Sequence, residues 1–316
     1  MHEHRGMTLV ETAVIVATLA AGAALTAQGV ADAARQNREL KDSLCLRQIH
    51  SALLVKAADN PGLNLPLPSE INRVGRIVGR GRSDELKNDH ASLYSACIAI
   101  NLISPALPVS PCETSPHVAV CSNYDFEKYD PAKDTFWDGD VPNPDGPQAC
   151  SGNSHFRADL STACNTSYAA LSLLPTAKGA AFPGRRDAQW WTSGNDQFVL
   201  FSNRGPRDGA TTGPAFEQSL SVGMLGPTAE VPKAWHGNLA FADNHVERSK
   251  GFELAPKTPK AMSERLRKAK PAPAKDNLFL RDDTTDDSDM LLTVTKSVSG
   301  TLDGETWKVD ARHSWD

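Results

Sequence analysis

The sequence predicts an α+β fold: a long N-terminal α-helix packed on an antiparallel β-sheet head with large loops. Three observations carry this. Helical patterning runs unbroken from Met7 to about Ala58 and stops at Pro61-Gly62. Short strand-like runs appear only after Asn165, two of them flanking a turn dipeptide. The 316 residues include 22 Gly and 21 Pro, which demands much turn and irregular chain.

The helix comes first. No Lys or Arg occurs between Gly6 and Ala34, and the formal charges there are Glu11 and Asp32. The apolar run Thr12–Ala27 is a membrane-span candidate. A carboxylate at Glu11 costs about 3 kcal/mol there unless it finds a partner. In the second half, Leu40 and Leu44 are spaced i,i+4, and Leu46, Ile49 and Leu53 are spaced i, i+3, i+7. Arg35, Arg38, Lys41, Asp42 and Arg47 fill much of the rest. The expected result is one apolar stripe against a folded head, with the charged residues in water. At 1.5 Å per residue such a helix is about 75–80 Å long.

A cut after Gly6 makes Met7 a new terminus, whose amine has a reference pKa of about 8 and is mostly protonated at neutral pH. Glu11 cannot readily reach its own terminus along a regular helix. It can neutralise the terminus of a neighbouring copy and so set the register of an assembly.

Gly6-Met7-Thr8-Leu9-Val10-Glu11 followed by an apolar run resembles the processing signal of type IV pilins and type II secretion pseudopilins. The resemblance implies a pilin-like fold, removal of the leader after Gly6 by prepilin peptidase, methylation of Met7, and an assembly role for Glu11. It also implies other pilin-like subunits as partners in a homo- or hetero-filament. The localisation implied is single-pass in the inner (cytoplasmic) membrane, with an extracytoplasmic head or a periplasmic or surface filament. Many family members have Phe where this chain has Met7. Two plainer readings compete. One is a secretory signal peptide cut near Ala21-Gly22-Ala23 or Leu25-Thr26-Ala27, against which stand the weakly basic leader and Glu11 inside the apolar region. The other is an ordinary membrane anchor that tolerates Glu11.

The totals bound the rest. The chain is 40% apolar and 22% charged, with net charge −5 and 6% aromatic residues. That describes an ordinary globular bulk with a modest core and argues against nucleic-acid binding as the main activity. Six cysteines stand at Cys45, Cys97, Cys112, Cys121, Cys150 and Cys164, with no CxxC pair to suggest structural zinc. If the bulk is exported, disulfides are the default. Cys112–Cys121 and Cys150–Cys164 are the local pairings to try first, and Cys45 could tie the long helix to Cys97.

The expected organisation is a leader at 1–6, a helix at 7–58 with its membrane or filament half at 7–27, and a head at 59–255. A Lys/Pro/Ala-rich linker at 256–275 and an acidic C-terminal β segment at 276–316 follow. The basic cluster Arg73, Arg76, Arg80 and Arg82 reads as a solvated loop, with anionic lipid or polysaccharide as the sharper alternative. A shorter helix is expected from Asp89 to Ile103, then loops at 104–160. Asp138, Asp140 and Asp145 lack EF-hand spacing and read as a solvated acidic loop. Strands are expected at 167–171, 197–201 and 238–242, with Asp243-Asn244 turning into His245-Val246-Glu247.

Ser92–Asn101, Ser202-Asn203-Arg204-Gly205-Pro206 and Trp235–Glu247 look similar to segments of large pilin-like proteins of planctomycete-type bacteria. In that group a His lies nine residues before an Asp-Gly that is followed by His-Val. Here His236 is seven positions before Asp243, and the turn is Asp-Asn. The shortened spacing puts any role of the upstream His in doubt. His236, Asp243, His245 and Glu247 could hold a divalent ion, but alternating polar residues on a half-exposed hairpin is the favoured reading.

In the tail, Leu278-Phe279-Leu280 and Met290–Thr295 read as strands around Asp282, Asp283, Asp286, Asp287 and Asp289. Secretion-type pseudopilins often hold calcium near a C-terminal loop, which makes these aspartates the calcium candidates by resemblance. A solvated turn is the simpler reading, and no cofactor is required. No nucleophile elbow, phosphate loop, zinc-protease motif or dinucleotide fingerprint is present, so no enzyme is predicted. Three function classes remain: a pilin-like filament subunit, a membrane-anchored extracytoplasmic ligand-binding protein, and a secreted hydrolase.

Overall fold

The computed structural model describes residues 9–58, 65–71, 85–126, 156–174, 190, 198–226, 233–254, 275–280, 290–303 and 306–315. For residues 21–26, 70–71, 302–303 and 306–307 it describes the backbone alone. It is a mixed α+β structure. The leader, the Arg73–Arg82 cluster, Asp138–Asp145, the linker up to residue 274 and the aspartates at 282–289 lie outside the described residues.

The chain divides into two compact units, Met1–Lys41 and Asp42–Asp316. Helix α1 spans Leu9–Ala57, in agreement with the expected helix. In the first unit residues 9–20 and 27–34 are exposed, Leu9 at 86% and Leu19 at 68%. Arg35 bridges Asp32 at 3.2 Å and Glu39 at 3.7 Å, the i,i+3 and i,i+4 spacings that share a helix face. Among the described residues no helix is long and apolar enough to cross a membrane. The Thr12–Ala27 run includes residues 21–26, whose side chains lie outside that description.

In the second unit, the end of α1 buries Leu46, Ile49 and Leu53 as expected. Two expectations are corrected. Leu40, in the first unit, is 61% exposed and Leu44 46%, whereas Asp42, expected in water, is 0% exposed. The buried stripe is Asp42, Leu46, Ile49 and Leu53. A step of two residues turns a helix by roughly 200°, so Leu40 and Leu44 face away from it.

Helix α2 is one turn, Pro68–Ile71, and α3 spans His90–Ala99. As expected, α3 starts at Asp89, whose Oδ1 accepts the Ser92 N–H at 2.7 Å. It stops earlier than the expected Ile103. Asn101 takes a left-handed φ of 58°. The N–H groups of Asn101 and Leu102 then close on the carbonyls of Ile98 and Cys97, both at 2.9 Å. This is a Schellman ending with Asn in the place usually held by Gly.

The strands follow: β1 Ala158–Asp159, β2 Ala163–Cys164, β3 Tyr168–Leu171, β4 Val199–Asn203, β5 Gly237–Phe241, β6 Val246–Ser249, β7 Glu253–Leu254, β8 Asp276–Asn277, β9 Leu292–Asp303 and β10 Thr306–Ser314. Six of them form one antiparallel sheet in the order β10-β9-β3-β4-β5-β6. Strands β3, β4 and β5 are buried along their whole length, covered on both faces. Asp243-Asn244 makes the expected turn. Asn244 donates its N–H to the Phe241 carbonyl at 2.9 Å and adopts a φ of 69°. A type I turn followed by a left-handed residue is a common three-residue hairpin loop. The Asn244 amide also donates to Ser51 Oγ of α1 at 2.9 Å.

The C-terminal segment is no appendage. Strand β9 lies inside the sheet, between β3 and β10. Leu278–Leu280, expected as a strand, forms a turn after β8, with the Leu280 N–H on the Asn277 carbonyl at 3.1 Å. That turn packs Leu278 and Phe279 into the core beside Trp235 and Phe252. Gly205 is required by this packing, since a Cβ there would stand 2.0 Å from the Phe279 ring.

Three histidines of the head, His50 and His90 buried and His313 half-buried, are held below the ordinary imidazole range. Burial pushes the His50 and His313 imidazoles down to about 4, opposed at His50 by Asn244 and Asp243 and at His313 by Asp310. Burial and the neighbouring His313 ring push His90 down to about 3, opposed by the Leu171 backbone. A lowered native pKa means that the fold holds the neutral ring. This contribution is complete above the unfolded value near 6.5 and drains away as pH falls through about 4. Asp42, discussed below, pulls the other way. The expected result is a denaturation midpoint that declines progressively from pH 6.5 to 4, with a shallower decline in His313→Gln.

Candidate functional site

Within the second unit Asp42 is a fully buried carboxylate, 0% exposed, ringed by donors. Its Oδ1 accepts hydrogen bonds from Ser110 Oγ, from the Tyr168 hydroxyl at 2.9 Å and from Asn203 Nδ2 at 3.2 Å. Its Oδ2 accepts from Asn203 Nδ2 at 3.0 Å and from Asn238 Nδ2 at 2.7 Å. The donors come from a loop and from β3, β4 and β5, so one helix residue gathers three adjacent strands.

The donors are themselves held. Ser167 Oγ accepts the Ser110 N–H at 2.9 Å, and Asn203 Oδ1 accepts the Asn238 N–H at 2.7 Å. The second contact fixes which way the Asn203 amide points. Burial pushes the Asp42 carboxyl up, and the hydrogen bonds from Ser110, Asn238, Asn203 and Tyr168 oppose it; the net direction is upward. Both oxygens are saturated by donors. The site therefore anchors a helix to a sheet and exposes no reactive atom.

Beside it, Arg204 grips Glu113. The guanidinium donates to both carboxylate oxygens, through Nη1 to Oε2 and through Nη2 to Oε1 at 2.7 Å. Both side chains are buried, at 2% and 7% exposure. Oε1 also accepts the N–H groups of Thr114 and Ser115 at 2.8 and 2.7 Å. Burial pushes the Glu113 carboxyl up, but Arg204, the Ser167 side chain and the Ser115 N–H outweigh it and hold it below the usual range. Trp235 Nε1 donates to the Arg204 carbonyl at 3.0 Å, joining the two polar centres to the aromatic core.

The sequence-predicted residues lie elsewhere. Gly6 and Met7 are outside the described residues, and Glu11 sits exposed in the first turn of α1. In the hairpin, Asp243 Oδ1 accepts the His245 N–H at 3.1 Å and pairs with its Nδ1 at 2.5 Å. The His245 ring stacks on Phe241 at 4.3 Å, and its Nε2 is 3.9 Å from Glu247. His236 is buried against Gly226, where a Cβ would meet its ring at 2.8 Å. Among the described residues no group of three His, Cys, Asp or Glu could hold a metal ion. Asp282, Asp283, Asp286, Asp287 and Asp289 are outside them.

The expected cystine pairings Cys112–Cys121 and Cys45–Cys97 are not formed. Cys45, Cys97 and Cys164 are free thiols, and Cys150 lies outside the described residues. Nearness in sequence misleads here. Cys112 packs with Met224 and Leu225, while Cys121 belongs to the main core. Burial pushes the Cys97 and Cys164 thiols up to about 12, which leaves them poor nucleophiles.

Comparison with protein-family models, with curated proteins and with solved structures finds no match to this chain.

Asp42 was missed because its charge outweighed its position on the stripe. Extending Leu53, Ile49 and Leu46 backwards by helical spacing lands on it, which is the signal that could have found it. Its partners carried a weaker sign. Asn203 and Asn238 fall within the two C-terminal segments singled out by resemblance, and they sit on strands β4 and β5.

Proposed function

We propose that this protein is a structural, pilin-like subunit of a type IV pilus or type II secretion-like filament, processed after Gly6. One observation carries the reading. The hexapeptide Gly6–Glu11 shares Leu9–Glu11 with a 49-residue helix whose apolar side chains Leu9, Val10, Val14, Ile15, Val16 and Leu19 stand 46–86% exposed. A contiguous apolar surface of this kind is costly in water and calls for lipid or neighbouring helices as cover. The far end of the same helix is pinned into the head through Asp42. A subunit that holds its neighbours by a helix must transmit load to its own folded part, and a saturated buried carboxylate suits that task.

The mechanism is helix packing, with Glu11 meeting the Met7 amine of the adjacent subunit. Glu11→Ala is expected to abolish assembly while leaving membrane insertion intact. Intact-mass analysis of the native N-terminal peptide should give a chain starting at methylated Met7. A start near Gln28 overturns the reading. A methylated Met7 without filaments favours the membrane-anchored, ligand-binding alternative.

A further inference from the structure

Strand β10 ends the six-stranded sheet, and among the described strands it is hydrogen-bonded to β9 alone. It is nine residues long, so its outer edge offers an extended row of backbone donors and acceptors. Proteins blunt such edges with charged side chains, lysine above all. Here the exposed side chains alternate in sign, Lys308, Asp310, Arg312, with half-buried Val309 between the first two.

We propose that β10 is a self-pairing surface on which a second copy of this chain docks edge to edge and antiparallel, Val309 on Val309. In that register Lys308 lies opposite Asp310 of the second copy, and Asp310 opposite its Lys308. Both cross-strand pairs are attractive. A register one residue on, centred on Asp310, would set like charges against each other.

The backbone allows the same centre. Outward-facing groups alternate along an edge strand. Counted from the Asp303↔Thr306 pair that closes the hairpin, Val309 is one of the residues facing away from β9. Ala311 shares that parity, but it adjoins the bulge between Arg312 and His313. The strand beyond it is also taken up, since Ser314 Oγ accepts the Leu160 N–H at 2.8 Å. The contact is two-fold and closed, so it joins heads in pairs and does not propagate a filament.

The test is sedimentation of the full-length chain in detergent micelles. Wild type is expected to dimerise. Lys308→Asp and Asp310→Lys should each weaken the dimer about tenfold or more, and the double swap should restore it. A wild type that does not self-associate, single variants as tight as wild type, or a swap that fails to restore would overturn the proposal. The pairing stands apart from helix-driven assembly, so Glu11→Ala should leave this dimer intact. A dimer lost in Glu11→Ala but kept in Lys308→Asp overturns the β10 contact and leaves the filament reading standing.

Discussion

Asp42→Ala should destabilise the head by about 3–5 kcal/mol, the largest effect expected of any single truncation on α1. The lost carboxylate leaves donors from Ser110, Tyr168, Asn203 and Asn238 in a site that is 0% exposed. The isosteric Asp42→Asn should be nearly as damaging, at about 2–4 kcal/mol. An amide brings its own N–H₂ against Asn203 and Asn238, which already point donors inward. Chemical denaturation read by tryptophan fluorescence checks both variants. Combining Asp42→Asn with Asn238→Asp exchanges the two groups and should recover part of the loss. No recovery would mean that volume, rather than hydrogen bonding, decides the site. Raised as it is by burial, Asp42 should also make Asp42→Ala relatively less damaging at neutral pH than a fully compensated carboxylate would be.

Arg204→Ala should cost a further 3–5 kcal/mol or so, through a different mechanism. Removing the guanidinium strands Glu113 as a buried charge held by the neutral Ser167 side chain and the Thr114 and Ser115 N–H groups. The pH dependence then changes sign. In the wild type the Glu113 carboxyl is held low, so its contribution is full above the ordinary carboxylate range and lost as pH falls below it. In Arg204→Ala the carboxyl should rise, and acidification should recover stability. The double variant Arg204→Met/Glu113→Gln should be far less damaged than Arg204→Ala, because no unpaired charge remains. Denaturation midpoints measured across the acid range decide between these outcomes.

Elements with strong local signals were legible in the sequence. The long helix, its stop, the Asp89 cap, and the runs that become β3, β4 and β5 all depend on residues within a few positions of one another. So does the Asp243-Asn244 turn, where Asn tolerates positive φ. The errors share a cause. Leu40 and Leu44 look buried and Asp42 looks wet by residue type, whereas angular position on the helix decides which side chain meets the sheet. Cys112 and Cys121 look like a pair, yet the chain between them carries each into a different cluster. The Leu278–Leu280 run has strand composition, but its backbone turns to feed Phe279 into the aromatic core.

The sequence by itself determined the helix and its lack of Lys and Arg from Gly6 to Ala34, the position of Glu11, and the strand-forming stretches of the head. Those are properties of periodicity and composition. Only the tertiary structure decided that Asp42 is an interior anchor, that Arg204 and Glu113 are one buried pair, and that β9 enters the sheet beside β3. A carboxylate on a helix can face water or a core with the same local spacing. What settles its side is whether residues 68, 126, 161 and 196 positions away along the chain bring donors to meet it.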